Sequence, residues 1–299
     1  METKISEFTG AWVQWALSTP LKMNLLLGLL AYLVICGAMP SLANLVAMSR
    51  SAKNIVLMGD QRQLEQPIQG SHPAESGESC LNYLIQDHAT IPADLGIFLG
   101  TTYRMRPKVC KFISDNFYES RLMADKSTLD NELVLHASCK IVGKPEGILF
   151  IPVEHEDCSR SSEEEATTIN SVIAELLKSQ IKDTNGTRPL TLKDILVVAP
   201  YNLQVNLLKQ TLPKGVEIGS VDKFQGREAP VVIVSMCSST LDASPRGVDF
   251  LFSPNRLNVA LSRVRCLAIV VGNPDLSATD GTSIEKMRMV NLFCGVVNC

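Results

Sequence analysis

The sequence lacks several features that would assign it quickly to a functional class. Basic residues are not in excess, because 28 Lys and Arg face 31 Asp and Glu among 299 residues. No global positive field is therefore available to hold nucleic acid, and any nucleic-acid site must be local. The nine cysteines contain no CxxC pair. This excludes the common zinc patterns and a disulfide framework, and it favours a reducing cytoplasm.

Long apolar runs are also scarce, and the one that stands out is Met23 to Met39, which carries no charge. It could be a membrane span or a signal anchor, but it is short for a span, and Pro40 and Asn44 interrupt its continuation. The favoured interpretation is a buried parallel strand, Ala31 to Cys36, followed by a helix from Ser41. Membrane insertion is thus the less favoured alternative.

The composition, with 45% apolar and 20% charged residues, is that of a folded protein. From Tyr32 onward, short apolar or β-branched runs alternate with amphipathic segments, which predicts an α/β fold with a parallel sheet flanked by helices. The predicted strands are Tyr32–Cys36, Asn54–Met58, Leu95–Leu99, Gly147–Ile151, Asp194–Val198, Val231–Ser235 and Leu267–Val271.

Amphipathic segments between these strands predict the helices. Ser162 followed by Glu165 is a capping-box pattern, and it opens a helix that reaches about Leu177. The other predicted helices are Lys108–Tyr118, Asn202–Leu212 and Arg256–Arg265. Residues 66–77 and 123–140 are predicted to be irregular. A lobe boundary near 92–95 divides the chain into an unassigned segment (1–31), part of a first lobe (32–94), a second lobe (95–275) and a C-terminal extension (276–299).

Polar residues and glycines are concentrated in five segments that adjoin predicted strands, which is where open α/β sheets bind ligands. The segments are Gly59–Leu64 (GDQRQL), Thr102–Pro107 (TYRMRP), Ala199–Gln204 (APYNLQ), Gly219–Glu228 (GSVDKFQGRE) and Asn255–Arg265 (NRLNVALSRVR). A chance match of the length of Gly219–Glu228 is improbable. Taken singly, the others also have ordinary readings, such as a turn in which Asp60 caps a helix or arginines exposed on a loop.

In their order and spacing, four of these segments resemble motifs III, IV, V and VI of the superfamily-one helicases related to the nonsense-decay and flap-processing enzymes. The fifth, Ala199–Gln204, is similar to a (T/A)PYxxQ segment that members of this family carry between motifs IV and V. The resemblance covers about four-fifths of the chain. It implies a RecA-like second lobe of the P-loop-NTPase type, together with a remnant of the first lobe. It also implies ATP and Mg²⁺ as cofactors and single-stranded nucleic acid as partner. Between the two nucleic acids, we favour DNA over RNA.

The resemblance further assigns three residues to catalysis at the γ-phosphate. Gln63 would sense the γ-phosphate and the attacking water, since an amide can donate and accept at once. Arg104 and Arg263 would reach the same phosphate, because a guanidinium is permanently charged and can bind in a bidentate manner.

The remaining assignments concern the cofactor and the nucleic acid. The resemblance places Asp60, Gly226, Glu228, Arg256 and Arg265 around the nucleotide, with Asn258 supporting the cleft. It places Ser220, Gln225, Tyr201 and Gln204 along the nucleic acid. Gly226 would allow close approach of the backbone. Tyr201 could stack on a base or, equally, be a core tyrosine.

The sequence also departs from the family. The phosphate-binding pattern GxxxxGK[ST] does not occur in it, and Cys36 and Gly37 stand where an Asp-Glu pair is expected, so metal ligands are not predicted. We therefore expect the C-terminal motor portion of an ATP-hydrolysing helicase that is inactive alone and works with an upstream first motor lobe. The alternative is a non-catalytic remnant that binds nucleic acid or a protein partner. A membrane-anchored protein is a third interpretation.

Overall fold

The computed structural model describes residues 32–36, 40–49, 54–64, 73–86, 88–224, 226–240, 248–278 and 283–299, and for 32–36 only the backbone. These residues fall into two compact units, one formed by residues up to 61 and 65–86, the other by 62–64 and 87–299. The short segment Arg62–Leu64 thus belongs with the larger unit.

The smaller unit contains a parallel strand pair, β1 (Tyr32–Cys36) and β2 (Asn54–Met58), with helix α1 (Leu42–Ser49) between them in the chain. A 3-10 turn at Ala74–Gly77 and a short helix α2 (Cys80–Ile85) follow. The predicted strands at Tyr32 and Asn54 are confirmed with their predicted bounds. No helix among the described residues is long and apolar enough to cross a membrane.

The larger unit is built on a five-stranded sheet. Its elements, in chain order, are β3 (Thr101–Thr102), α3 (Pro107–Phe117), β4 (Met123–Ala124), β5 (Glu132–Val134), β6 (Gly147–Pro152), α4 (Glu163–Leu176), β7 (Gln180–Asp183), β8 (Gly186–Pro189), β9 (Ile195–Val198), α5 (Asn202–Thr211), β10 (Glu217–Gly219), β11 (Ala229–Ser235), α6 (Val248–Leu251), α7 (Pro254–Ser262), β12 (Val264–Gly272) and α8 (Ile284–Val297). The sheet has the order β10-β9-β11-β12-β6, and all its strands are parallel.

The sheet is buried on both faces, which explains the almost continuous apolar runs of its strands. In β11, Val232 and Val234 face one helical layer, while Val231 and Ile233 face the other. The first layer contains α3, α7 and α8, and the second contains α4 and α5. A small antiparallel sheet, β5-β7-β8, also contributes to the second layer through Leu133 and Ile181. The predicted α/β class with a parallel sheet flanked by helices is confirmed.

Three predictions about local structure are wrong. Leu95–Leu99 is not a strand: among the described residues no strand pairs with it, and the side chains of Leu95, Ile97 and Leu99 are 59%, 86% and 76% exposed. The alternation of apolar residues is typical of a strand, but no described strand lies beside this segment. In this part of the chain, strand pairing begins only at β3. Residues 123–140 are less irregular than predicted, since they contain β4 and β5.

The capping box at Ser162 is the third prediction that is wrong. The Ser162 hydroxyl accepts the hydrogen bond from Glu165 N, as predicted, but the Glu165 carboxyl lies in a buried network instead of returning to the helix terminus.

The segment predicted to be a C-terminal extension includes α8, whose Phe293 and Val296 are fully buried in the core of the larger unit.

Candidate functional site

Two arginine-bearing segments meet at the edge of the sheet where the strands begin. Glu228 immediately precedes β11, and Arg263 immediately precedes β12, its neighbour in the sheet. Ala229 N donates to Arg263 O at 3.1 Å, so the starts of the two strands are adjacent. Ligands of open α/β sheets usually bind at the opposite edge. The residues of the predicted motifs are thus distributed over both edges of this sheet. The sequence alone did not indicate this distribution.

Arg104 extends from the segment before α3 to this same edge. Its Nε donates to Glu228 Oε2 at 2.8 Å, and its Nη1 donates to the carbonyl oxygen of Ser262 at 3.3 Å. The Arg104 and Glu228 side chains are 32% and 46% exposed, so the pair faces solvent. Arg104 is thus bound loosely enough to exchange its partner for an anionic ligand.

Arg106, the second arginine of the same segment, makes different contacts. Arg106 donates to Glu146 Oε2 at 2.6 Å and to the carbonyl oxygens of Leu129 and Asn131 at 3.0 and 2.6 Å. Burial raises the pKa of Glu146, but hydrogen bonds from Arg106 and Lys108 outweigh this and lower it. Arg106 is therefore committed to holding the segment in place, and Arg104 is the arginine that is available at the edge.

Arg263 and Gln63 are in direct contact although 200 residues separate them. Nη2 of Arg263 donates to Oε1 of Gln63 at 3.2 Å. Arg263 lies at the C-terminal cap of α7 and is only 3% exposed. Burying a guanidinium is costly unless polar groups surround it, and such arrangements are concentrated at functional sites. The structure thus places Gln63 against Arg263, and it places Arg104 at Glu228 and at the Ser262 carbonyl, one residue before Arg263.

Asn258 connects two further segments to α7. It is 1% exposed, and its Nδ2 donates to the carbonyl oxygen of Arg62 and to the hydroxyl of Tyr118, both at 2.9 Å. The Asn258 Oδ1 is buried without a hydrogen-bond partner among the described residues. Tyr118, at the end of α3, was not singled out by the sequence, and nothing in its surroundings there marks it.

The carboxyl edge of the sheet carries most of the residues predicted for nucleic acid. Ser220 follows β10 and is partly exposed, while Tyr201 and Gln204 follow β9. Arg256 also lies here, since its Nη1 contacts Asp222 Oδ2 at 3.4 Å. Helix α7 starts at one edge, with Arg256, and ends at the other, with Arg263.

Arg256 is part of a stack of three side chains. Its guanidinium carbon lies 4.3 Å from the centroid of the Phe250 ring, and this ring lies 5.3 Å from that of Tyr201. Tyr201 is 6% exposed and belongs to the apolar core, which favours the core alternative over base stacking. Phe250 was missed because the sequence gives it no motif.

Gln204 is fully buried, which differs from the predicted contact with nucleic acid. Its Nε2 donates to Ser235 Oγ at 3.0 Å, and its Oε1 accepts from Ser162 N at 2.9 Å. Gln204 therefore joins α4, α5 and β11 inside the protein. A buried amide with all its atoms in use is a structural element, and its fixed position also fixes the start of α5.

A buried polar network extends from Gln204. Glu165 accepts from Ser235 Oγ at 2.5 Å and from Cys237 N at 2.9 Å, and it contacts His155 Nε2 at 3.1 Å. Nδ1 of His155 lies 2.8 Å from Ser239 Oγ. The Glu165 and His155 side chains are 0% exposed. Burial also raises the pKa of the adjacent Cys237 thiol. The network fixes the exits of β6 and β11.

The remaining predicted site residues occupy varied positions. Gly226 has a φ of +85°, and a Cβ placed on it would meet no atom within 4 Å, so the backbone conformation is what calls for glycine there. Arg265 lies in β12, half-buried, with Nε lacking a hydrogen-bond partner among the described residues. Asp60 follows β2 in the smaller unit. Gln225 lies outside the described residues.

The site fits the anionic part of a nucleotide better than it fits a metal ion. The amino edge carries the guanidinium groups of Arg104 and Arg263 and the amide of Gln63, and such groups recognise phosphate oxygens. Among the described residues, no group of three His, Cys, Asp or Glu side chains is arranged to hold a metal ion. The sheet and its flanking helices define an α/β lobe, and this lobe carries arginines at the amino edge of its parallel sheet.

Comparisons with known proteins identify the family. A family model described as an AAA domain matches residues 77–275, about two thirds of the chain. The chain is 30% identical to the regulator of nonsense transcripts 1 homolog of Arabidopsis thaliana over 77% of its length. It is 32% identical to the DNA polymerase alpha-associated DNA helicase A of Schizosaccharomyces pombe over 73%, and 30% identical to the protein of the same name from Saccharomyces cerevisiae over 81%.

The chain therefore belongs to this AAA domain family and to the superfamily-one helicases. It spans 18%, 33% and 37% of the length of these three relatives. The resemblance of the motifs is confirmed at the level of the family.

Proposed function

We propose that this chain forms the second half of the ATP-binding cleft of a cytoplasmic superfamily-one helicase, which couples ATP hydrolysis to movement along single-stranded nucleic acid. The observation that carries the proposal is the contact of Arg263 with Gln63, together with the contact of Arg104 with the carbonyl of Ser262, the residue before Arg263. An amide and two guanidinium groups at one edge are suited to the γ-phosphate, where charge develops during phosphoryl transfer.

In this proposal Gln63, Arg104 and Arg263 contact the γ-phosphate, and Glu228 and Arg265 lie around the nucleotide. Gly226 would complete the cofactor site. The opposing phosphate-binding loop and the ligands of Mg²⁺ come from a first motor lobe, because the pattern GxxxxGK[ST] does not occur in this sequence. Such an arginine can contribute roughly 10³ to 10⁵ in rate, but only when both halves of the cleft meet. We expect no hydrolysis by the chain alone.

The nucleic acid is proposed to follow the carboxyl edge, where Ser220 would contact its backbone and Arg256 is available. Gln225 is proposed from the resemblance to contact the nucleic acid as well. Tyr201 and Gln204 would act there by shaping the edge from inside, since both are buried. We favour single-stranded DNA over RNA. Because the two ligands use opposite edges, α7 would be the element that both of them contact.

Nucleotide binding by the purified full chain tests the proposal. We expect a fluorescent ATPγS to bind more tightly than the matching ADP, and this preference to be lost in Arg104→Ala and Arg263→Ala. Arg288→Ala, on the exposed side of α8, is the matched control. The lost preference should be on the order of tenfold for each arginine, equivalent to about 1.4 kcal/mol. Equal affinities for both nucleotides in the wild-type chain would overturn the proposal.

Hydrolysis assays distinguish this proposal from its alternative, a non-catalytic remnant that binds nucleic acid or a protein partner. ATP turnover is measured with and without single-stranded DNA or RNA, with Arg263→Ala for comparison. A preference for ATPγS without turnover supports a half-cleft that needs a first lobe. Strand-stimulated turnover that Arg263→Ala abolishes would contradict the expected inactivity of the isolated chain. Strand binding without any nucleotide preference would favour the remnant.

A further inference from the structure

Asn258 joins the turn that carries Gln63 to the helix that carries Arg263. Its Nδ2 donates to the carbonyl oxygen of Arg62, the residue directly before Gln63. On the other side, Asn258 belongs to α7, which ends at Ser262, one residue before Arg263. The two residues that meet at the candidate phosphate site therefore have a second connection, which lies deeper in the protein.

The connection has the properties of a fixed support. Asn258 is 1% exposed, so water does not compete for its amide. The second proton of Nδ2 goes to the hydroxyl of Tyr118 at 2.9 Å, which fixes the direction of the first. Leu64, on the far side of Gln63, packs against the apolar core next to α7. The turn is thus held on both sides of Gln63, whose side chain contacts Arg263.

We propose that Asn258 is a positioning residue that holds the Arg62–Leu64 turn and thereby keeps the Gln63 amide at Arg263. In this position Gln63 would distinguish a nucleotide that carries a γ-phosphate from one that does not. This inference rests on the proposed function for its last step. The geometric part does not, because the hydrogen bond from Asn258 to the Arg62 carbonyl exists without any ligand.

Tryptic cleavage of the native full chain tests the geometric part. Trypsin cuts after arginine, and the carbonyl of the bond after Arg62 is the one that Asn258 occupies. Loss of one buried hydrogen bond should raise the rate of cleavage between Arg62 and Gln63 by about three- to tenfold in Asn258→Ala. Asn258→Leu keeps the side-chain volume and should behave alike. Cleavage after Arg265, within β12, reports any general unfolding and should stay unchanged.

Tyr118→Phe is the matched control, because it removes the other acceptor of Asn258 but leaves the Arg62 carbonyl bound. We expect it to change cleavage after Arg62 little. An equal acceleration in Tyr118→Phe, or no acceleration in either Asn258 variant, would overturn the positioning role.

The functional part is tested by the preference for ATPγS over ADP. We expect Asn258→Ala to lose the same fold of preference as Gln63→Ala, with ADP affinity unchanged, whereas a purely structural loss would weaken both nucleotides together. If the wild-type chain shows no preference, the proposed function fails while the cleavage rates still decide whether Asn258 holds the turn. If Asn258→Ala speeds cleavage but keeps the preference, the turn is held for another purpose and the inference is wrong.

Discussion

Glu228 holds the guanidinium of Arg104 across 124 residues of sequence, with 2.8 Å between Oε2 and Nε. The same guanidinium is proposed to bind phosphate, so the carboxylate and the phosphate would compete for it. An ion pair as exposed as this one contributes at most about 1 kcal/mol. A multiply charged phosphate can therefore displace Glu228, at a small cost in affinity.

Removing the Glu228 charge should strengthen binding of a polyphosphate. We expect Glu228→Gln to raise the affinity of the full chain for tripolyphosphate by about two- to fivefold, the equivalent of the lost competition. Isothermal titration calorimetry in the presence of a chelator measures this without contributions from ribose or metal. Glu217→Gln, which breaks the exposed pair with Arg227, is the control and should have no effect. A weaker affinity in Glu228→Gln would mean that Glu228 itself supports the bound anion.

Substitution of Arg256 should weaken the binding of nucleic acid and leave the binding of nucleotide unchanged. It lies at the carboxyl edge with Asp222 and Phe250, separate from the groups around Arg263. We expect Arg256→Ala to weaken binding of fluorescent oligothymidine several-fold and to reduce the salt slope by about 0.7, the value for one phosphate contact on a single strand. Anisotropy titrations at several salt concentrations give both quantities. An unchanged salt slope together with weaker ATPγS binding would indicate that Arg256 contacts the nucleotide instead of the nucleic acid.

The sheet could be predicted from the sequence because its strands are buried on both faces and read as apolar runs with regular spacing. The segments also predicted residues that lie at the amino edge, since Gln63 contacts Arg263 there and Arg104 contacts Glu228 and the Ser262 carbonyl. Spacing could not show which edge each motif would reach. That depends on whether a segment enters or leaves its strand, and on the order of strands in the sheet.

Burial of polar residues was the other feature that the sequence did not reveal. Gln204 and Tyr201 belong to a motif that suggests contact with a ligand, yet both are inside the protein. Glu165 fits a capping box, but its carboxyl has partners up to 72 residues away. Leu95–Leu99 has the pattern of a strand and no partner strand among the described residues. In each case long-range partners, which a local pattern does not contain, decided the outcome.

The Glu165 network should be the most sensitive polar site of the larger unit. Glu165→Ala leaves the buried Cys237 N, Ser235 hydroxyl and His155 ring without their acceptor, which we expect to lower the free energy of unfolding by roughly 3–5 kcal/mol. Glu165→Gln keeps one acceptor oxygen and should cost less. Urea denaturation measures both. Glu163→Ala, exposed on the same helical turn, is the control, and an equally large loss there would indicate a helix-terminus effect.

The stability of the region around β8 and β9 should depend on acid through Asp194. Burial raises the pKa of Asp194, but hydrogen bonds from Arg188 and Thr191 outweigh it and lower the pKa from 3.8 to about 2. Because the folded pKa is the lower one, the stabilisation is complete above pH 3.8 and is lost as the pH falls toward 2. The shift corresponds to about 2 kcal/mol at neutral pH.

We therefore expect Asp194→Asn to be less stable than the wild type by about 2 kcal/mol at pH 7, with the difference shrinking as the pH approaches the folded pKa. Urea denaturation at a series of pH values measures this difference directly. Glu132→Gln, which breaks an exposed pair with Lys182, should show only a small difference at every pH. A deficit for Asp194→Asn that stays constant from neutral pH to strong acid would show that the loss comes from altered hydrogen-bond geometry. In that case the Asp194 carboxylate would not contribute through its charge, and the acid dependence would have to arise elsewhere.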